Sequence, residues 1–201
     1  MYYNEKTAAR LLNALIAGAD DNREFLKHAW IDNDGRMCAC DGFRAYRLNV
    51  PVAGVPDIEA EKAIDLDKIF PATVDESKAL DLPALADVRA MIEQDKRKEK
   101  RGETVSYMFT FGMSETGEQL PAVNLRYLAD ALQMFPNARA YYTTPVAPIV
   151  FKDENGDAVV LPVRVAPGSD VDATQRRQVP APVKKDNAPA LGLRTFAALY
   201  A

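Results

Sequence analysis

The sequence is poor in the residues from which catalytic and metal centres are built. It holds one histidine, His28, and two cysteines, Cys38 and Cys40, among 201 residues. One histidine with a single Cys-x-Cys and no second pair falls far short of the ligand spacing of a zinc site. There is no glycine-rich loop to cradle phosphates, no nucleophile elbow and no paired-carboxylate motif, and Asp20-Asp21 and Asp32-Asn33-Asp34 fit turns better than catalysis. The expectation is a non-enzyme with no metal and no cofactor. A run of about 18 apolar residues is also missing, so no segment suits a membrane-spanning helix. The start, MYYNEKTAARLL, has no long apolar stretch ahead of a small-residue cleavage site. The chain therefore reads as cytoplasmic. Cys38 and Cys40, two apart and hence on one face of a strand, read as reduced core thiols. Charge of one sign is lacking as well: 25 Lys and Arg against 29 Asp and Glu leave a net charge of −4. That excludes coating nucleic acid through overall charge, but not a local basic surface.

What is present is apolar material for a real core, 48% hydrophobic against 27% charged. Over residues 5 to 17, Ala8, Leu11, Leu12, Leu15 and Ile16 recur at helical spacing, with Gly18 as a stop. Residues 24 to 32 alternate as a strand, and Asn33-Asp34-Gly35 supplies a hairpin turn. KAIDLDKIF suggests a strand running into a turn or short helix. Leu85, Val88, Met91 and Ile92 make an apolar stripe that predicts a second helix over 82 to 98, behind Pro83 and tailing into the mixed run DKRKEKR. TVSYMFTFGM returns to alternation. Asn124 then caps a third helix with Leu125, Leu128, Leu132 and Phe135 on one face. ARAYYTT, APIVFKD and AVVLPVRV read as three closing strands, the last two joined at Glu154-Asn155-Gly156-Asp157. A helix followed by short antiparallel strands thus occurs twice, at about 5 to 66 and 120 to 165, which predicts a pseudo-symmetric α+β fold. From Ala166 onward the chain is Pro- and Ala-rich without apolar period, reading as a tail over 166 to 201 that turns apolar again in LGLRTFAALYA.

The stretch CACDGFRAYRL, residues 38 to 48, sets Asp41-Gly42 within what reads as one alternating strand. Taken alone, the dipeptide reads as a kink or bulge in that strand. Taken with its surroundings, it resembles the bacterial sliding clamp, the ring-shaped β subunit of the replicative DNA polymerase. That family carries a strand ending in a Thr-Asp-Gly-His-Arg-Leu type sequence, a Phe-Asn-x-x-Tyr start to its last helix, and a Met-Pro-x-Arg-Leu end. Cys40 to Ala45, VNLRYLADAL at 123 to 132 and VVLPVRV at 159 to 165 are similar in order and spacing. The resemblance covers about residues 5 to 50 and 105 to 165. It implies one clamp-like domain over 1 to 165 with an enlarged connection at 51 to 104, where the family strings three domains per chain.

By the same resemblance, a small apolar cleft for peptide motifs of polymerases and repair proteins would have Gly42, Phe43 and Arg44 on one wall and Val159, Leu161 and Pro162 on the other. Phe43 replaces the family's histidine and Ala45 its leucine. Duplex DNA would be met through its phosphates by Lys6 and Arg10 on the first helix and Arg126 on the third, with Lys96 to Arg101 as an outlying candidate. The implied function is a processivity or protein-tethering factor in DNA replication or repair, self-associating into a ring. The alternative is a clamp-fold interaction module that does not encircle DNA and regulates or mimics a replication component. The terminal LGLRTF loosely resembles the leucine and phenylalanine motifs that clamps bind.

Overall fold

The computed structural model describes residues 4–17, 24–58, 66–114 and 117–164. The tail, the Gly18 stop and residues 59 to 65 lie outside these. Three helices, α1 (Glu5–Ala17), α2 (Leu85–Lys100) and α3 (Leu125–Met134), pack with one large sheet and one small one. The strands are β1 (Ala29–Ile31), β2 (Met37–Cys40), β3 (Arg44–Leu48), β4 (Asp57–Ile58), β5 (Ala79–Leu80), β6 (Met108–Thr110), β7 (Ala122–Asn124), β8 (Arg139–Tyr141), β9 (Ile149–Asp153) and β10 (Gly156–Val160).

The large sheet runs β4-β1-β2-β3-β10-β9-β8-β5. Its centre is a mirror in connectivity, β1-β2-β3 meeting β10-β9-β8. β3 and β10 are antiparallel, from Leu48 opposite Gly156 to Arg44 opposite Val160. Two consecutive hairpin triplets joined through their last strands give the sheet a pseudo-twofold axis between β3 and β10. Each triplet follows its own helix, and α1 and α3 lie side by side on one face of the sheet. The repeat expected from the sequence is therefore realised as one continuous sheet.

Alternation decides which side chains meet the helices. Ala39, Tyr46, Leu48, Phe151, Ala158 and Val160 face α1 and α3, whose Leu11, Leu12, Leu15, Leu125, Leu128 and Leu132 complete the main core. The opposite parity carries Trp30, Cys38, Cys40, Ala45, Val150 and Val159, covered by Leu26, Leu66 and Phe70. Both cysteines are free and buried on that second face.

Gly156 fixes the register at the central seam. It sits at φ +148°, and a β-carbon there would collide with the Arg47 carbonyl and stand 2.9 Å from Leu48 Cα. Asn124 caps α3 as its position suggested, accepting from the Arg126 amide at 2.9 Å.

Two expectations are corrected. Asp41-Gly42 does not kink one strand; it reverses the chain, with Cys40 opposite Ala45 and Ala39 opposite Tyr46. Asp41 Oδ1 accepts from the amides of both Phe43 and Arg44 at 2.9 Å, and Gly42 takes φ 89°. The alternation changes phase at the turn, since Met37 and Ala39 share the inner face with Tyr46 and Leu48, but β2 is buried on both faces and no polar side chain marks the change. The strand expected over 24 to 32 is confined to Ala29–Ile31, because Glu24–Lys27 forms a 3₁₀ turn that drops Leu26 into the outer core. A 3₁₀ turn also occupies Leu66–Lys68.

Candidate functional site

The β2-β3 hairpin loop and the end of β10 lie beside one another at one rim of the sheet. The Leu161 amide donates to the Phe43 carbonyl at 2.8 Å, just past the last β3-β10 pair. The two segments that the sequence resemblance set on opposite walls are thus neighbours across one strand seam. Phe43 is 59% exposed and Leu161 40%, and their adjacency across the seam makes them one apolar patch. Pro162 is half-buried, and Val159, at 2% exposure, belongs to the covered outer core. Gly42 supplies the backbone conformation that turns Phe43 outward.

Arg44 is the hub of this rim. Its Nε donates to Asp41 Oδ2 at 3.0 Å and its Nη1 to Asp130 Oδ2 at 2.5 Å. Its guanidinium also lies 4.6 Å from the Tyr127 ring centroid and 5.8 Å from that of Tyr46. Burial alone would lower its pKa, but Tyr46, the hydrogen bond and charge of Asp130, and Asp41 together raise it. Arg44 therefore stays charged and fixed, a structural cation more than a free recognition group. Phe43 stacks on Tyr127, with ring centroids 6.3 Å apart and planes 27° from parallel.

Tyr127 and Asp130, both on α3, complete the rim and were not singled out from the sequence. The signal was available: Asn124 caps the helix, so a residue three later sits in its first turn beside the strand end. What results is an aromatic and aliphatic surface of Phe43, Tyr127 and Leu161, underlain by a cluster in which Arg44 is shared by the carboxylates of Asp41 and Asp130. Such a surface suits an apolar side chain of a peptide in extended or turn conformation.

The candidate DNA contacts fall on the helical side. Lys6 and Arg10 are exposed on α1, one turn apart. Arg126 is exposed at the start of α3, its guanidinium 4.3 Å from the Tyr107 ring centroid. All three belong to helices that lie on the same face of the sheet. Among the described residues no group of three or more His, Cys, Asp and Glu is placed to hold a metal ion, and no helix is long and apolar enough to cross a membrane.

On the outer face, Arg47 bridges Asp67 at 3.0 Å and Asp157 at 2.9 Å and lies 4.5 Å from the Phe70 ring centroid. This pins the covering segment onto β3 and β10. The Cys38 thiol beneath it is pushed up to about 12, chiefly by burial and then by the charge of Asp32. A thiol so held is inert at neutral pH.

No family profile and no curated protein matches the sequence. Solved structures do match. The β subunit of DNA polymerase III from Thermotoga maritima aligns at 14% identity and TM-score 0.50, over 81% of this chain and 65% of that one. The polymerase III β protein of Caulobacter crescentus aligns at 15% and 0.52, over 81% and 64%. The Helicobacter pylori β clamp, bound to a DNA ligase peptide, aligns at 10% and 0.54, over 79% and 63%. The chain has the sliding-clamp fold, and it spans just under two thirds of the length of these structures.

Proposed function

We propose that this chain is a sliding-clamp-like tethering factor of DNA replication or repair, meeting duplex DNA with its helical layer and partner peptides with the Phe43 rim. The observation that carries this reading is the placement of α1 and α3 together on one face of a sheet whose halves join at β3 and β10. That arrangement leaves the cations Lys6, Arg10 and Arg126 on the exposed side of the helices, where they can meet phosphates without reading bases. It also brings Phe43 and Leu161 to one exposed rim.

The peptide surface is Phe43 and Leu161, with Gly42, Arg44 and Pro162 fixing the backbone around them and Val159 forming the underlying core. Its ligands are short motifs with leucine or aromatic side chains, a reading supported by the ligase peptide on the Helicobacter pylori clamp. The protein works without catalysis, cofactor or metal, in the cytoplasm and away from membranes. It forms one clamp-like unit over residues 1 to 165, enlarged at 51 to 104, with a tail over 166 to 201.

The two open edges of the sheet support self-association. They are β4 at one end and β5 at the other, two different strands, which suits head-to-tail contacts between copies. Closing a ring with one unit per chain takes about six copies, by analogy with the family's geometry. The reading without a ring keeps the peptide rim and loses the topological hold on DNA.

Light scattering on the purified full chain tests assembly. A closed oligomer of about six copies supports the ring, and a strict monomer at micromolar concentration supports the non-encircling module. Titration of a fluorescent leucine- and phenylalanine-containing peptide tests the rim, with Phe43→Ala as control.

A further inference from the structure

Helix α2 belongs to the enlarged connection, yet it packs along α3 in the helical layer. A groove of about 660 Å³ runs between them. On α2 it is bordered by Arg89, Glu93 and Lys96, at spacings of four and three, and on α3 by Arg126, Asp130 and Gln133, at the same spacings. Each trio is one stripe of its helix. Arg89 Nη2 donates to Gln133 Oε1 at 2.9 Å across one end. At the other end Tyr107 links the helices, donating to Glu99 Oε2 at 2.7 Å while Arg126 lies over its ring. The helices therefore run antiparallel, and Lys96 and Arg126 share the mouth at the N-terminus of α3.

The charges in the groove do not cancel. Glu93 is matched by Lys96 at 2.7 Å and Asp130 by Arg44 at 2.5 Å. Arg89 and Arg126 have no carboxylate partner among the described residues; one bonds a neutral amide and the other lies on a ring. Both are exposed, and so are Arg97 and Lys100 just beyond the mouth. The Lys96–Glu93 pair is itself about half exposed, so it holds Lys96 only weakly. The N-terminal end of α3 adds its own partial positive charge.

We propose that the α2–α3 groove is a second track for the phosphodiester backbone of duplex DNA, held by Arg89, Lys96 and Arg126. Helix α2 then widens the DNA-facing layer beyond α1 and α3. The dimensions agree: seven residues separate Arg89 from Lys96, about 10 Å along the helix, and one strand of a duplex places about three phosphates in that axial distance. The inference rests on the DNA-binding part of the proposed function.

The test is binding of the full chain to a fluorescein-labelled duplex by anisotropy, over a range of salt. Arg89→Ala with Lys96→Ala is compared with Lys6→Ala with Arg10→Ala, and with the charge-keeping pair Arg89→Lys and Lys96→Arg. The groove track predicts that the first pair weakens binding about tenfold at low salt and lowers the salt slope by about two. It predicts that the charge-keeping pair retains the wild-type slope. A wild-type slope in Arg89→Ala with Lys96→Ala, alongside a reduced slope in Lys6→Ala with Arg10→Ala, overturns the groove and leaves DNA binding standing. A lowered slope in the charge-keeping pair overturns it as well, since the loss would then follow packing and not charge. Absence of duplex binding by the wild type at any salt overturns both.

Discussion

Arg44 of β3 reaches across 2.5 Å to Asp130 of α3, tying the hairpin that carries Phe43 to the helix that carries Tyr127. Asp41 holds the same guanidinium from the loop side at 3.0 Å. Removing the Asp130 charge leaves Arg44 paired with Asp41 but loses the charged tie between hairpin and helix. Because Asp130 keeps 30% of its side chain exposed, the cost falls below that of a fully buried pair. Asp130→Asn is expected to lower stability by about 1 to 2 kcal/mol and to weaken peptide binding without touching the peptide. Urea denaturation checks the first, and peptide titration the second.

Phe43 and Leu161 are exposed, so their truncation should leave the fold intact. Phe43→Ala and Leu161→Ala are each expected to change stability by less than about 1 kcal/mol while reducing affinity for a leucine- and phenylalanine-containing peptide about tenfold or more. Calorimetric titration alongside thermal melting separates the two effects.

Gly156 is expected to tolerate nothing larger. Its φ of +148° and the Arg47 carbonyl in the path of a β-carbon combine backbone strain with a clash against main chain that cannot move without breaking the β3-β10 seam. Gly156→Ala should cost about 3 kcal/mol or more, measured by urea denaturation. Gly35, also at positive φ but with nothing near its β-carbon, should cost less when changed to alanine.

Burial sets the alkaline limit of stability. The Cys38 thiol is pushed up to about 12 from 9.0, by burial first and Asp32 next. The Tyr46 hydroxyl is raised by burial first, against the opposing charge of Arg44. Both groups hold their protons longer in the folded state, so above about pH 9 the unfolded chain binds fewer protons and stability falls with rising pH. The contribution is complete below the unfolded pKa values and is lost as pH climbs through the folded ones. Cys38→Ala is expected to flatten this decline between about pH 9 and 11, as read from denaturation midpoints.

Much of this was legible in the sequence, for reasons that are local. The helices over 5 to 17 and 125 to 134 follow from apolar spacing and the Asn124 cap, and alternation within each arm of the hairpin groups Cys38 with Cys40 and Tyr46 with Leu48, while the opposite facing of the two pairs comes from the turn between them. The Asp41-Gly42 reversal was hidden because β2 is buried on both faces, so Met37 to Cys40 carry no polar–apolar contrast to show the change of phase at the turn. The rim residues Tyr127 and Asp130 were missed because their importance lies in the meeting of α3 with a loop 86 residues away in sequence, by way of Arg44. Val159, placed by motif on a cleft wall, turned out to be core because strand parity puts it on the covered face with Ala45 and Val150.

The most direct measurement of clamp-like tethering is retention of the protein on a nicked circular plasmid, compared with the same plasmid cut once, at salt high enough to strip ordinary phosphate contacts. Encirclement predicts that the protein stays on the circle and is lost from the linear form. Equal release from both contradicts it.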